Sequence, residues 1–263
     1  MTALIAPLPY QLDRVITIDA APETVFSFFT DSARWARWWG KGSTIDARPG
    51  GQLLIRHLNG VEITGEVIAV EPPRRVTFTY GYASGQSIPP GGSRVTIELQ
   101  SDGSGTRLRL THEFAEATAR EQHVQGWRYQ LALFANVVTD MLHEGAPTLV
   151  DRWFAAWNDP DPIRRREGVE AIAAPDVQFK DRFGLTGGVD ELLGHIAAVH
   201  QFMPGLRLER QGDTRHCQGL VLADWAAVAQ DGSTKARGTN AFALSAEGRI
   251  AAVTGFWSNH PAQ

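Results

Sequence analysis

Between Thr118 and Leu142 the sequence sets Val124, Trp127, Leu131, Phe134, Val138 and Met141 at alternating spacings of three and four, a single apolar stripe along one long helix. A helix this long with one greasy side must lie across another layer of structure. The stretches before it supply that layer. Gly51 to Leu58, Val61 to Val70, Val76 to Tyr82, Arg94 to Leu99 and Thr106 to Phe114 each alternate as half-buried strands do, and Ser101-Asp102-Gly103-Ser104-Gly105 reads as a hairpin turn between the last two. Ahead of them, Leu12 to Asp19 reads as a strand. Ala21-Pro22-Glu23 opens a helix, with proline at its first turn and an anion where the macrodipole favours one. Thr30-Asp31-Ser32 caps a second short helix that carries Trp35, Trp38 and Trp39 and stops at Gly40. Strand, two helices, several antiparallel strands and a closing helix describe an α+β unit in which a curved sheet wraps the last helix.

The inward faces of that sheet carry His57, Tyr80, Tyr82 and His112, and the helix adds Trp127. Polar groups on otherwise apolar faces suit a cavity with a few orienting contacts; a single histidine alone reads more readily as a core residue bonded to backbone, and it is the four together that give the cavity reading equal standing. The opening Ile16 to Phe29 segment, the Trp35-Trp38-Trp39-Gly40 cluster, the His112-Glu113-Phe114 strand end and Gly126-Trp127 make residues 10 to 143 resemble the START-like "helix-grip" (SRPBCC) superfamily, and within it the Hsp90-ATPase-activator homologue group. The resemblance implies a pocket between sheet and closing helix, with Trp38, Trp39, His57, Tyr80, Tyr82, His112 and Trp127 as its ligand-binding residues. It leaves the activity open, because the superfamily includes lipid carriers, aromatase/cyclases and co-chaperones. His57, His112 and His123 fall on separate elements, and no metal-ligand spacing appears. The first domain is expected to span residues 1 to 144.

Gly145-Ala146-Pro147 reads as a linker to a second domain, residues 145 to 263. Thr148 caps a helix whose Leu149, Trp153, Phe154 and Trp157 form its apolar side, and a charged turn, Arg164-Arg165-Arg166-Glu167, leads into another that runs through Ala174. Val177 to Gly184 alternates as a strand with Val177, Phe179, Asp181 and Phe183 on the inward face, so a carboxylate stands among apolar residues. Such a group pairs, caps a turn or lines a pocket, and in a pocket it is a candidate general base. A helix from Val189 to about Phe202 follows, with His195 and His200 near the edge of its apolar face. Four strands come after it, at Leu206 to Arg215, Gly219 to Ala229, Lys235 to Leu244 and Ile250 to Trp257.

The segments Asp151 to Asn158 and Ala174 to Asp181, with the closing Asn240 to Leu244, Gly248-Arg249-Ile250 and Gly255-Phe256-Trp257, make residues 147 to 258 resemble the cone-shaped α+β barrel of the NTF2-like superfamily, in its ketosteroid-isomerase and SnoaL-like polyketide-cyclase group. The resemblance implies Asp181 as base, Trp153 where the group has a tyrosine donor, and Asn240 where it has a protonated aspartate. Trp157, Phe179 and Trp257 become the ligand-binding walls. Both departures keep a hydrogen-bond donor, but neither can protonate an oxyanion.

The formal net charge of −4 with no basic block offers nothing to nucleic acid or an anionic membrane surface. Met1 to Pro9 lacks the pattern of an export signal, no run approaches a membrane span, and the lone Cys217 fits a reducing compartment, so the expected location is cytoplasmic. The expected function is binding of a small hydrophobic carbonyl compound, polyketide- or steroid-like, with cofactor-free isomerisation, cyclisation or a related lyase reaction on Asp181. The alternative is a non-catalytic carrier or Hsp90-type co-chaperone. Homodimerisation is a family-level expectation for the second domain.

Overall fold

The computed structural model describes residues 7–258; most of the Met1 to Pro9 reading lies outside them. The chain divides into two compact units, Met1–Thr139 and Asp140–Gln263. In the first, β1 (Tyr10–Ile18) is followed by α1 (Pro22–Ser27), α2 (Ser32–Trp39), β2 (Thr44–Ile45), β3 (Gln52–Arg56), β4 (Glu62–Glu71), β5 (Arg75–Tyr82), β6 (Ser93–Asp102), β7 (Gly105–Phe114) and α3 (Ala117–Leu142). The strands form one seven-stranded antiparallel sheet in the order β1-β7-β6-β5-β4-β3-β2. Asp31 caps α2 by accepting from Arg34 N at 2.8 Å. Gly40 stops the same helix at φ 131°, where a β-carbon would lie 2.3 Å from the Arg56 carbonyl, so only glycine fits the exit.

The stripe on α3 packs on Phe28, Phe29 and Trp38 from the early helices through Phe134, at ring separations of 4.8–5.9 Å. Its buried face is broader than the apolar count predicts. His123 and Gln130 belong to it, while Val124 and Met141 sit half-buried at its edge.

The second unit holds α4 (Ala146–Asn158), α5 (Pro162–Glu170), β8 (Ala173–Lys180), β9 (Leu185–Gly187), α6 (Val189–Phe202), β10 (Arg207–Cys217), β11 (Leu220–Val228), β12 (Thr234–Leu244) and β13 (Ile250–Trp257). Its sheet runs β10-β11-β12-β13-β8-β9 and is antiparallel except where β8 lies parallel to β13. Three local expectations are corrected. Ala146 and Pro147 belong to the first turn of α4, where a missing N–H costs nothing, and not to a linker. Arg164, Arg165 and Arg166 lie within α5, whose N-terminus Asp161 caps through Ile163 N and Arg164 N, and the helix stops before β8 begins at Ala173. The strand expected to reach Gly184 stops at Lys180, because Asp181 turns the chain.

One core runs through this unit. Trp153, Phe154, Trp157, Val177, Phe179, Leu192, Ile196, Val221, Trp225, Phe242 and Val253 are all buried in it. Among the described residues no helix is long and apolar enough to cross a membrane, and no group of three His, Cys, Asp or Glu side chains is placed to hold a metal ion.

Candidate functional site

Asp181 is fixed by its own turn. Its backbone N–H donates to the Gly184 carbonyl at 2.9 Å, and its Oδ1 accepts from Phe183 N and Gly184 N, both at 2.7 Å. This is the Asx-type turn that aspartate favours. Oδ2 accepts a longer bond, 3.3 Å, from the indole N–H of Trp257 on β13. The turn-capping and pocket-lining readings of the sequence therefore describe one side chain, with Oδ1 bound to backbone and Oδ2 facing the cavity wall. The same turn swings Phe183 out of the inward face. It is 67% exposed and packs edge-on against Trp257 at 5.0 Å.

Asn240 comes from β12. Its Oδ1 accepts from the indole N–H of Trp225 at 3.0 Å. Because an indole only donates, this bond fixes the amide orientation and leaves the NH₂ as a free donor type. Asn240 pairs in register with Gly255 of β13. A β-carbon on Gly255 would lie 2.9 Å from Asp181 Cβ and 3.2 Å from Asn240 Oδ1, so the bare glycine is what separates the carboxylate from the amide.

These groups border a cavity of about 90 Å³ whose walls include Trp157, Phe179, His195, Trp225 and Trp257. Phe183 and Met203 line it and are also exposed, which places its mouth beside them. The Trp157 indole N–H is buried with no hydrogen-bond partner. Trp153 departs from its expected place. It lies in the core against Trp157, Phe179 and Phe242 and does not line the cavity. His195 and Trp225 do line it. His195 was legible only as an edge position on α6, and the β11 pattern marks Trp225 as one more core residue.

In the first unit a cavity of about 290 Å³ is lined by Trp39, His57, Tyr80, Tyr82 and Trp127, together with His123 and Gln130. Trp38 and His112 lie beneath it. Trp38 donates to the Phe28 carbonyl at 3.4 Å within the aromatic cluster. His112 is fully buried. Its Nδ1 accepts from Trp127 Nε1 at 2.9 Å, so its proton sits on Nε2 and is donated to Ser93 Oγ at 2.8 Å; Ser93 in turn donates to the Tyr80 carbonyl at 2.7 Å. Burial, with His123 nearby, holds the His112 imidazole well below its ordinary pKa. It is a satisfied core histidine.

Around the cavity itself, Tyr82 OH lies 3.4 Å from His123 Nε2, and His123 Nδ1 donates to the Ala119 carbonyl at 2.7 Å. That assignment makes Nε2 the acceptor and Tyr82 the donor. Burial lowers the pKa of His57 and His123, and burial raises that of Tyr80 and Tyr82. All four are therefore neutral at pH 7, and the described lining contains no Asp, Glu, Lys or Arg.

Comparison with known proteins divides the chain in the same place as its contacts do. Residues 19–139 match the family described as Activator of Hsp90 ATPase homolog 1-like protein, and residues 150–253 match the SnoaL-like domain. No curated protein is similar enough to count as a match. Among solved structures, a SnoaL-like family protein from Agrobacterium tumefaciens, named as a candidate isomerase, is 29% identical, covering 45% of this chain and 99% of that one at a TM-score of 0.42. CalU16 from Micromonospora echinospora is 26% identical over 50% of this chain and 78% of its own, TM-score 0.42. The Aha1 dimer from Colwellia psychrerythraea is 21% identical over 46% and 90%, TM-score 0.41. The chain thus carries an Activator of Hsp90 ATPase homolog 1-like domain at residues 19–139, followed by a SnoaL-like domain at residues 150–253.

Proposed function

We propose that the second unit binds a small cyclic carbonyl compound and removes a proton alpha to its carbonyl, with Asp181 as the base. The observation that carries this is the asymmetry of the Asp181 carboxylate. Oδ1 accepts two backbone N–H groups, while Oδ2 meets only the indole of Trp257 at 3.3 Å on the wall of an apolar cavity. A base held by one oxygen and offering the other is oriented before substrate arrives.

The enolate oxygen that forms needs neutral donors in a dry site. Asn240 supplies its amide NH₂, oriented by Trp225, and the unpartnered indole N–H of Trp157 takes the part that the family resemblance implies for Trp153. Each aligned donor contributes about 2.7–4 kcal/mol to such a transition state.

Size narrows the substrate. A cavity of about 90 Å³ is small and encloses one small ring at most. A larger polyketide- or steroid-like molecule would extend past Phe183 and Met203 into solvent. The first unit serves as a binding module in this reading. Its larger, uncharged, aromatic cavity suits a flat ligand without formal charge.

The test is exchange of the alpha protons of cyclohexanone into deuterated water, followed by NMR on the full chain. Asp181→Asn is expected to slow protein-catalysed exchange by about 10²–10⁴-fold. Exchange at the wild-type rate in that variant ends the proposal.

A further inference from the structure

His195 stands in the Asp181 cavity and is used by none of the contacts above. It projects from α6 between two aromatic walls, with its ring 5.3 Å from Phe179 and 5.8 Å from Trp157. Among the described residues it makes these ring contacts and no hydrogen bond. It is also tied in space to the carboxylate. Gly184 donates its N–H to Asp181 Oδ1 at 2.7 Å, and a β-carbon on that same glycine would fall 2.7–3.0 Å from three atoms of the His195 ring. One residue therefore touches the base on one side and the imidazole on the other, and both side chains line the same space.

The chemistry of the cavity gives this placement a use. Asp181 accepts a proton; the donors at Asn240 and Trp157 hold charge but release no proton at neutral pH. Histidine is the side chain that carries and releases one in that range. We infer that His195 is the general acid of this site, and that the acid–base pair extends its chemistry from enolisation to loss of water from a cyclic β-hydroxy ketone. This rests on the reading of Asp181 as base.

The step balances without a further reactant. Asp181 Oδ2 takes the proton from the carbon between the carbonyl and the carbinol. The C–H electron pair passes through the enolate into the new C=C bond. The C–O bond breaks with its pair, and the leaving oxygen takes a proton from protonated His195 and departs as water. Asp181 is left as the acid and His195 as neutral imidazole, and one proton passed between them through solvent restores both. The product is a conjugated enone.

Two reactions of the full chain separate the roles: alpha-proton exchange of cyclohexanone in deuterated water, and formation of enone from a β-hydroxy cyclohexanone, read by ultraviolet absorbance. Exchange needs Asp181 and the neutral donors but no acid at a leaving oxygen; elimination needs Asp181 and His195 together. His195→Gln is expected to lower the ratio of elimination to exchange by about 100-fold or more, and thermal unfolding followed by circular dichroism checks that the variant is folded. His195→Asn, shorter and also without an ionisable ring, is expected to lower the same ratio. Elimination that falls only in step with exchange in both variants overturns the role of His195 while leaving Asp181 as base. Wild-type exchange in Asp181→Asn, or a wild-type chain that catalyses exchange but no elimination, also overturns the inference; the first of these removes the Asp181 reading with it.

Discussion

Substituting Gly255 by alanine adds one methyl group against both Asp181 and Asn240. Gly255 lies on β13 opposite Asn240, and its ideal β-carbon would sit 2.9 Å from Asp181 Cβ and 3.2 Å from Asn240 Oδ1, with nothing else nearer than the Lys180 carbonyl at 3.9 Å. Non-bonded carbons rest at about 3.5–4.0 Å, so the methyl overlaps Asp181 Cβ by roughly 0.6–1 Å. Asp181 cannot yield as the tip of a flexible chain would. Its β-carbon is one bond from a backbone held by the Asp181 N–H to Gly184 bond, and its Oδ1 is held by two more. The strain therefore moves backbone, at a cost of about 1–3 kcal/mol. At about 2–4 °C per kcal/mol, the melting temperature drops by roughly 2–12 °C. A base displaced by a fraction of an ångström also loses catalysis, by up to about 10²-fold. The assay pairs thermal unfolding with alpha-proton exchange. Gly194→Ala serves as the stability control: it lies in α6 with nothing within 4 Å of its β-carbon, and it is expected to melt higher, by up to about 1 kcal/mol of helix propensity. A Gly255→Ala chain that melts and exchanges like wild type refutes the spacing argument.

Acid is expected to destabilise the first unit through its histidines. Burial is the leading cause of the lowered pKa of His57, His112 and His123, so the folded state takes up their protons at lower pH than the unfolded chain does. The unfolded state binds more protons as pH falls below about 6.5. Stability is thus fully present above that value and is lost progressively as pH falls towards the folded-state pKa values. A melting temperature flat between pH 7 and pH 5 would contradict this. Ser93→Ala removes the hydroxyl that accepts from His112 and donates to Tyr80, leaves a buried imidazole N–H unpaired, and is expected to cost about 1–3 kcal/mol in denaturant unfolding. A cost below about 0.5 kcal/mol would mean that His112 adopts the other tautomer or finds another acceptor.

Periodicity carried most of the architecture. The stripe on α3 and the alternation in β3 to β7 place helix on sheet without any tertiary information, because burying one face is the same demand in both elements. It failed where a side chain competes with the ladder. Asp181 satisfies Phe183 N and Gly184 N itself, so alternation that runs smoothly through Val177, Phe179 and Phe183 on paper breaks at Lys180 in space. It also failed for polar residues on buried faces. His123 and Gln130 of α3 interrupt an apolar count, yet they line a cavity wall. His112 and Tyr80 share the same alternating logic, but one is core and the other is cavity, a distinction set by Ser93 and Trp127 from other elements. Trp153 and Trp157 lie one helical turn apart on α4. Nothing in their spacing says which indole meets the cavity and which is buried behind it.

The single parallel pairing in the second sheet has a consequence for the order of assembly. β8 carries Asp181 to its place, but on the side away from β9 its in-sheet neighbour is β13, and the Trp257 to Asp181 bond joins residues 76 positions apart. Neither the hairpin contacts of β10 to β13 nor the packing of α4 on α5 can form this edge. Long-range pairing carries the loop-closure entropy of all the intervening chain before it returns any contact energy. The meander can zip locally, while the wall between Asp181, Gly255 and Asn240 closes only when the two ends of the unit meet. During synthesis the Asp181 cavity is therefore incomplete until β13 has left the ribosome. Any chain that stops short of Trp257 lacks one wall of that cavity and the indole that bonds Asp181.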